Sequence, residues 1–128
     1  MSTTKLNVLL IGDMSFFYDR NGLWHNYLPT NLRIILLNNH GGIIFRFIEG
    51  PSTLPELEEY FETHQSLNAK QTAADFNLDY IHCTQRDTLQ KNITSFFQPN
   101  QKAKILEIET DKKTNENIYH QFKNHITL

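Results

Sequence analysis

Two nearly continuous apolar runs, Leu6-Asn7-Val8-Leu9-Leu10-Ile11 and Leu32-Arg33-Ile34-Ile35-Leu36-Leu37, each lead directly into a polar cluster. Apolar runs of this length without in-out alternation are expected of parallel strands covered on both faces. Parallel neighbours need crossover connections, usually helices, so the chain is expected to be an α/β protein. The first run ends in Gly12-Asp13-Met14-Ser15 and the second in Asn38-Asn39-His40-Gly41-Gly42. If the two strands are parallel, both clusters land on the same rim of the sheet. In open α/β sheets that rim, beyond the carboxyl ends of the strands, is where ligands bind. Asp13 and Asn39 offer oxygen ligands suited to a hard cation.

Further along, the spacing predicts a first helix that starts near Ser15, a good N-cap residue, and carries Phe16, Leu23, Trp24 and Tyr27 on one face before Pro29. Gly41-Gly42 breaks the chain, and Ile43 to Ile48 lead into a loop marked by Gly50-Pro51 and Pro55. Short helices are expected over 56–61 and 72–76, and a longer one over 86–97 with Leu89, Ile93 and Phe96 on one face. Strands are expected over 80–83 and 103–109, and a polar helix from about Lys113. This strand-then-helix alternation implies a mainly parallel sheet flanked by helices.

Composition narrows the function classes. The chain has 128 residues, enough for one domain with a single core. A net charge of −2 provides no broad basic field, which argues against a nucleic-acid partner. The single cysteine, Cys83, rules out a disulfide within the chain and suits a reducing cytoplasm. No stretch reaches the ~18 apolar residues of a membrane span, and the first residues lack the order of a signal peptide.

The two rim clusters together resemble the diphosphate and magnesium motif of thiamine diphosphate (ThDP) enzymes. Their flanks, Gly12 to Leu23 and Asn31 to Phe45, are similar to the C-terminal domain of one menaquinone-pathway family, the 2-succinyl-5-enolpyruvyl-6-hydroxy-3-cyclohexene-1-carboxylate synthases. A looser likeness continues through Phe61-Glu62-Thr63, 72–76 and 103–108. The resemblance implies that Asp13, Asn39 and the backbone carbonyl of Gly41 hold Mg2+, with Mn2+ possible in its place. It implies further that Gly12, Met14, Ser15 and Gly42 approach the ThDP diphosphate, the N–H groups of Met14 and Ser15 pointing at it from a helix start. Phe45 and Ile48 match residues that border the reacting end of the cofactor; ordinary core packing is the alternative. Met14 stands where many ThDP enzymes carry a small residue. Ile43 stands where relatives often have Gly or Gln, and is left off the cofactor set.

Enzymes of this family run to several times this length. The resemblance therefore implies that residues 1–128 are a diphosphate- and Mg-binding domain truncated on its N-terminal side, inactive alone. By the same likeness the whole enzyme is a homo-oligomeric transferase that decarboxylates 2-oxoglutarate and joins the succinyl semialdehyde unit to isochorismate. No catalytic acid or base is expected in this part. Apolar surface including Phe16, Phe17, Trp24, Phe45 and Phe47 is expected to be exposed when other domains are absent. Two other readings remain: a domain of another ThDP enzyme, such as an acetolactate-synthase-like carboligase or a 2-oxo acid decarboxylase, which would share the cation site but not the flank Ser15 to Asp19, and a non-catalytic flavodoxin-like binding module in which Asp13 is structural. The histidines His25, His40, His64, His82, His120 and His125 show no two at clear ligand spacing beside a carboxylate, which favours surface or packing roles, His40 being the exception to watch because it lies between two motif residues. Glu56, Glu58, Glu59 and Glu62 read as a solvated helix face.

Overall fold

The computed structural model describes residues 5–24 and 26–126; His25 lies outside them. Four strands, β1 (Asn7–Gly12), β2 (Leu32–Asn38), β3 (Asp79–Cys83) and β4 (Lys104–Glu109), form one sheet in the order β1-β2-β4-β3. Every pairing is parallel. The helices are α1 (Asp13–Tyr18), α2 (Lys70–Asp75), α3 (Arg86–Phe97) and α4 (Lys112–Ile126). Between β2 and α2 the chain makes two 3₁₀ turns, Ile43–Phe47 and Pro51–Thr53, and a single π turn, Leu57–Phe61. The α/β class with a parallel sheet is as the apolar runs predict.

Alternate residues of the central strands feed two cores, as the period of two along a strand requires. Ile34, Leu36 and Ile105 pack with Phe16 of α1 and Ala73 of α2. Leu106, with Ile35 and Ile81 beside it, packs on Phe96 of α3 and, as the helical spacing anticipates, on Leu89 and Ile93. At the opposite end from the polar clusters, the buried Arg33 donates to the carbonyls of Phe96 and Gln98, and Lys104 to those of Ser95 and Gln98. Cations at a helix C-terminus satisfy its last carbonyls and the negative end of its dipole, which anchors α3 to the sheet.

Three expectations are corrected here. β2 is covered on both faces, but β1 is an edge strand: Val8 is 51% and Leu10 64% exposed, because α3 lies over β3 and β4 and does not reach β1. The first helix is short. Gly12 occupies its N-cap position and α1 begins at Asp13, so Ser15 is its third residue and not its cap. It stops at Asp19 (φ −122°, ψ 25°), after which Arg20–Leu23 wind into a 3₁₀ turn through Asn21-Gly22. Trp24 and Tyr27 therefore share no helix face with Phe16 and are 80% and 86% exposed. Phe16, expected on an open face, is core, and Phe47 stacks on Tyr119 of α4.

Candidate functional site

β1 and β2 pair in register, Gly12 opposite Leu37, so the residues that follow them meet at one rim. Asp13 is buried, 3% exposed, at the start of α1. Its Oδ1 accepts the Met14 N–H at 2.8 Å. Its Oδ2 accepts the Gly41 N–H at 2.9 Å and Gln65 Nε2 at 2.9 Å. The Gly41 N–H is shared with Asn39 Oδ1 at 3.2 Å. The carboxylate and the amide oxygen thus converge on one backbone amide, although 26 positions separate their residues.

The turn that achieves this is constrained at two residues. His40 adopts φ 62°, the left-handed region that non-glycine residues rarely enter. At Gly41 a Cβ would lie 2.8 Å from the Glu62 carbonyl oxygen, so any side chain would displace the amide that gathers the two oxygens. Gly12, in contrast, has nothing within 4 Å of the place a Cβ would take; packing within this chain does not require glycine there.

The other expected cofactor contacts are placed less uniformly. Ser15 is exposed on α1, but the Met14 N–H is turned onto Asp13 Oδ1 and is not aimed outward. Gly42 follows Gly41 in the same turn and is half-buried. Phe45 is half-buried against Phe61, ring centres 5.3 Å apart, while Ile48 is exposed. Among the described residues no Lys, Arg or His forms an ion pair with Asp13, and no cluster of three or more His, Cys, Asp or Glu is placed to hold a metal ion. The side-chain oxygens that meet at the Gly41 amide are one carboxylate, from Asp13, and one amide oxygen, from Asn39, while the Glu109 carboxylate on the same rim is taken up by His40 and His82. Such an all-oxygen set with a single carboxylate fits Mg2+, which prefers few protein ligands and completes its octahedron with phosphate oxygens and water.

Beneath the rim lies a polar network that pattern reading overlooks. Glu107, in the middle of β4, is fully buried. It accepts Asn38 Nδ2 at 2.7 Å, the Ala69 N–H at 2.9 Å and the Tyr80 hydroxyl at 2.6 Å. Burial first, and the Glu107 carboxylate second, push the Tyr80 hydroxyl far above its ordinary pKa, so it remains a donor. Asn38, also fully buried, accepts the His40 N–H at 3.0 Å and Gln65 Nε2 at 3.1 Å. The signal for Glu107 was present in the sequence: a lone carboxylate inside the apolar run Ile105-Leu106-Glu107-Ile108 cannot face water if that strand is central.

Two further groupings correct the sequence reading. His40 and His82 do flank a carboxylate: Glu109 at the end of β4 accepts from His40 Nε2 at 2.7 Å and from His82 Nε2 at 3.0 Å. Glu62 is not solvated; it is 2% exposed and pairs with Arg46 and, at 2.9 Å, with Lys112 Nζ. These partners lie far away in sequence, which is why spacing conceals them. Glu56, Glu58 and Glu59 are exposed as expected.

Both paired carboxyls titrate low. The hydrogen bond from His40 holds Glu109 below the usual carboxylate range, with burial opposing and His82 reinforcing. Burial by itself would raise Glu62, but the hydrogen bonds from Arg46 and Lys112 outweigh it and hold that carboxyl low as well. A depressed folded-state pKa contributes stability that is present above the unfolded value, about 4.3, and is lost as pH falls through the lower folded value. Chemical denaturation should therefore show a stability loss that begins below about pH 4.3. Glu62→Gln should lower stability at neutral pH and shrink that acid-side loss; a mutant with an unchanged pH profile would contradict the pairing.

Comparison with known proteins places this geometry in a family. No family model matches the chain. The 2-succinyl-5-enolpyruvyl-6-hydroxy-3-cyclohexene-1-carboxylate synthase of Cytophaga hutchinsonii is 51% identical over 123 residues, which is 96% of this chain and 22% of that protein. The proteins of the same name from Christiangramia forsetii and Porphyromonas gingivalis are 42% and 36% identical, over 97% and 94% of this chain. The chain spans about a fifth of the length of the curated relatives it matches (22% and 21%). Near-complete coverage at such identity reflects common descent, and the chain belongs to the family of 2-succinyl-5-enolpyruvyl-6-hydroxy-3-cyclohexene-1-carboxylate synthases.

Proposed function

We propose that this chain is the diphosphate- and magnesium-binding part of a ThDP-dependent synthase acting in the cytoplasm. The observation that carries the reading is the convergence of Asp13 Oδ2 and Asn39 Oδ1 on the Gly41 amide, at 2.9 and 3.2 Å, on the carboxyl-end rim of a parallel sheet. Asp13, Asn39 and the Gly41 carbonyl hold Mg2+, and Gly12, Met14, Ser15 and Gly42 border the diphosphate. Phe45 and Ile48 stand toward the reacting end, where apolar side chains exclude water. When bound, ThDP supplies the carbanion chemistry that lets a 2-oxo acid lose CO2 and the remaining unit add to an acceptor. The substrates are 2-oxoglutarate and isochorismate. This chain positions the cofactor, and no acid or base of the reaction is assigned to it. The cofactor's other half is covered by a second subunit, which makes the working enzyme a homo-oligomer.

The test is a chimera in which this chain replaces the matching segment of the Cytophaga relative. With ThDP and Mg2+ it should consume 2-oxoglutarate and isochorismate at a rate comparable to that relative's own. A folded chimera that is inactive beside an active parent would overturn the reading. Preference for pyruvate over 2-oxoglutarate would point instead to an acetolactate-synthase-like enzyme.

A further inference from the structure

Burying a carboxylate in the centre of a sheet is costly, and an apolar residue of similar size often stabilises such a position better. Glu107 is nonetheless fully buried in β4, among Asn38, Tyr80 and the Ala69 amide. What a carboxylate provides that Leu, Met or Gln cannot is direction, because it only accepts hydrogen bonds.

That direction passes through two side-chain amides. Facing an acceptor, Asn38 must present Nδ2 to Glu107, at 2.7 Å, and it gives its second hydrogen to the Leu67 carbonyl at 2.9 Å. Asn38 Oδ1 therefore points the other way, where it accepts the His40 N–H at 3.0 Å and Gln65 Nε2 at 3.1 Å. Gln65 in turn must place Nε2 between Asn38 and Asp13, reaching Asp13 Oδ2 at 2.9 Å, while its Oε1 accepts the Leu67 N–H at 2.5 Å. The backbone of Leu67 thus donates to Gln65 and accepts from Asn38, which opposes a flip of either side-chain amide. Both supports of Asp13 Oδ2 depend on this order: Gln65 directly, and the Gly41 amide through the His40 N–H held by Asn38.

We propose that Glu107 is a positioning residue, which through Asn38 and Gln65 sets the orientation of the Asp13 carboxylate and of the Gly41 amide. The ligand-binding arm of the test rests on the proposed ThDP reading; the relay itself does not. Outer partners of this kind commonly change metal affinity about 10–100-fold when lost.

The experiment compares the full chain with Glu107→Gln and Tyr80→Phe, by NMR of the Gly41 backbone amide and the Gln65 side-chain amide without ligand, and by titration of ThDP with and without Mg2+. Glu107→Gln conserves shape but brings a donor against three donors. It should shift both resonances and weaken Mg2+-dependent ThDP binding about 10–100-fold. Tyr80→Phe removes one bond and leaves the polarity intact, so it should do neither. Unmoved Gly41 and Gln65 signals in folded Glu107→Gln would overturn the proposal. Equal perturbation by both variants would overturn it too, since that would signify general loosening. Wild-type chain that fails to bind ThDP, together with the predicted shifts, would refute the cofactor reading while supporting the relay. Should Glu107→Gln not fold, Gln65→Leu at the half-buried end of the relay replaces it: a shifted Gly41 amide supports the relay and an unmoved one overturns it.

Discussion

Asp13→Ala is expected to remove Mg2+-dependent ThDP binding. Among the described residues the Asp13 carboxylate is the charged oxygen that meets Asn39 at the Gly41 amide, and truncating one partner of a buried, hydrogen-bonded charge pair costs about 2–5 kcal/mol, thirtyfold or more in affinity. The substitution also strands the donors on Met14, Gly41 and Gln65 that Asp13 now satisfies, so some stability is lost with it. Asn39→Ala separates the two effects. Asn39 is half-buried and among the described residues its side chain makes only the 3.2 Å hydrogen bond to Gly41, so the fold should tolerate its removal while cation affinity falls. Isothermal titration with ThDP and Mg2+ reads both variants. Wild-type affinity in Asn39→Ala would remove that side chain from the cation site.

The chain alone should self-associate and show no turnover of 2-oxoglutarate. Among the described residues β1 presents an unpaired edge, and its residues Asn7–Gly12 contain neither a charge nor a proline to discourage pairing with another chain. Leu6, Val8 and Leu10 share one face of that strand, and Leu37 of β2, 40% exposed, extends the patch. On α4, Ile118, Phe122 and Ile126 form a second exposed stripe at helical spacing. Contiguous apolar surface of this kind favours association. Val8→Lys combined with Leu10→Lys should shift the sedimentation profile toward monomer, since a charge on an edge strand opposes pairing. A wild-type chain that stays strictly monomeric at high concentration would contradict this account of β1.

The parts of the fold that could be read from the sequence were those fixed by local pattern. The apolar runs became parallel strands, and Arg86–Phe97 forms a helix with Leu89, Ile93 and Phe96 turned inward, because periodicity alone decides such elements. The reading failed where distant groups override a local signal. Phe16, Leu23, Trp24 and Tyr27 fit a helical period, yet Asp19 and Asn21-Gly22 divert the chain after Tyr18. Glu62 looked like one of four surface acids, and only Arg46 and Lys112, the latter 50 positions away, bring it inside. At the site, the residues that offer oxygens, Asp13 and Asn39, were legible from chemistry and from their places at strand ends. A lone acid in an apolar run marks Glu107 as buried, but the link from it through Asn38 and Gln65 was not legible, because a hydrogen-bond network spread over α1, β2, β4 and the loop between β2 and α2 leaves no spacing in the sequence.

The central claim is that Asp13 and Asn39 form, with Gly41, a cation-dependent diphosphate site. The most direct measurement is calorimetric titration of the chain with ThDP in the presence of Mg2+ and again with the metal chelated. Binding that requires Mg2+ and disappears in Asp13→Ala is the predicted result. Binding that is indifferent to Mg2+, or equal in wild type and Asp13→Ala, would contradict it.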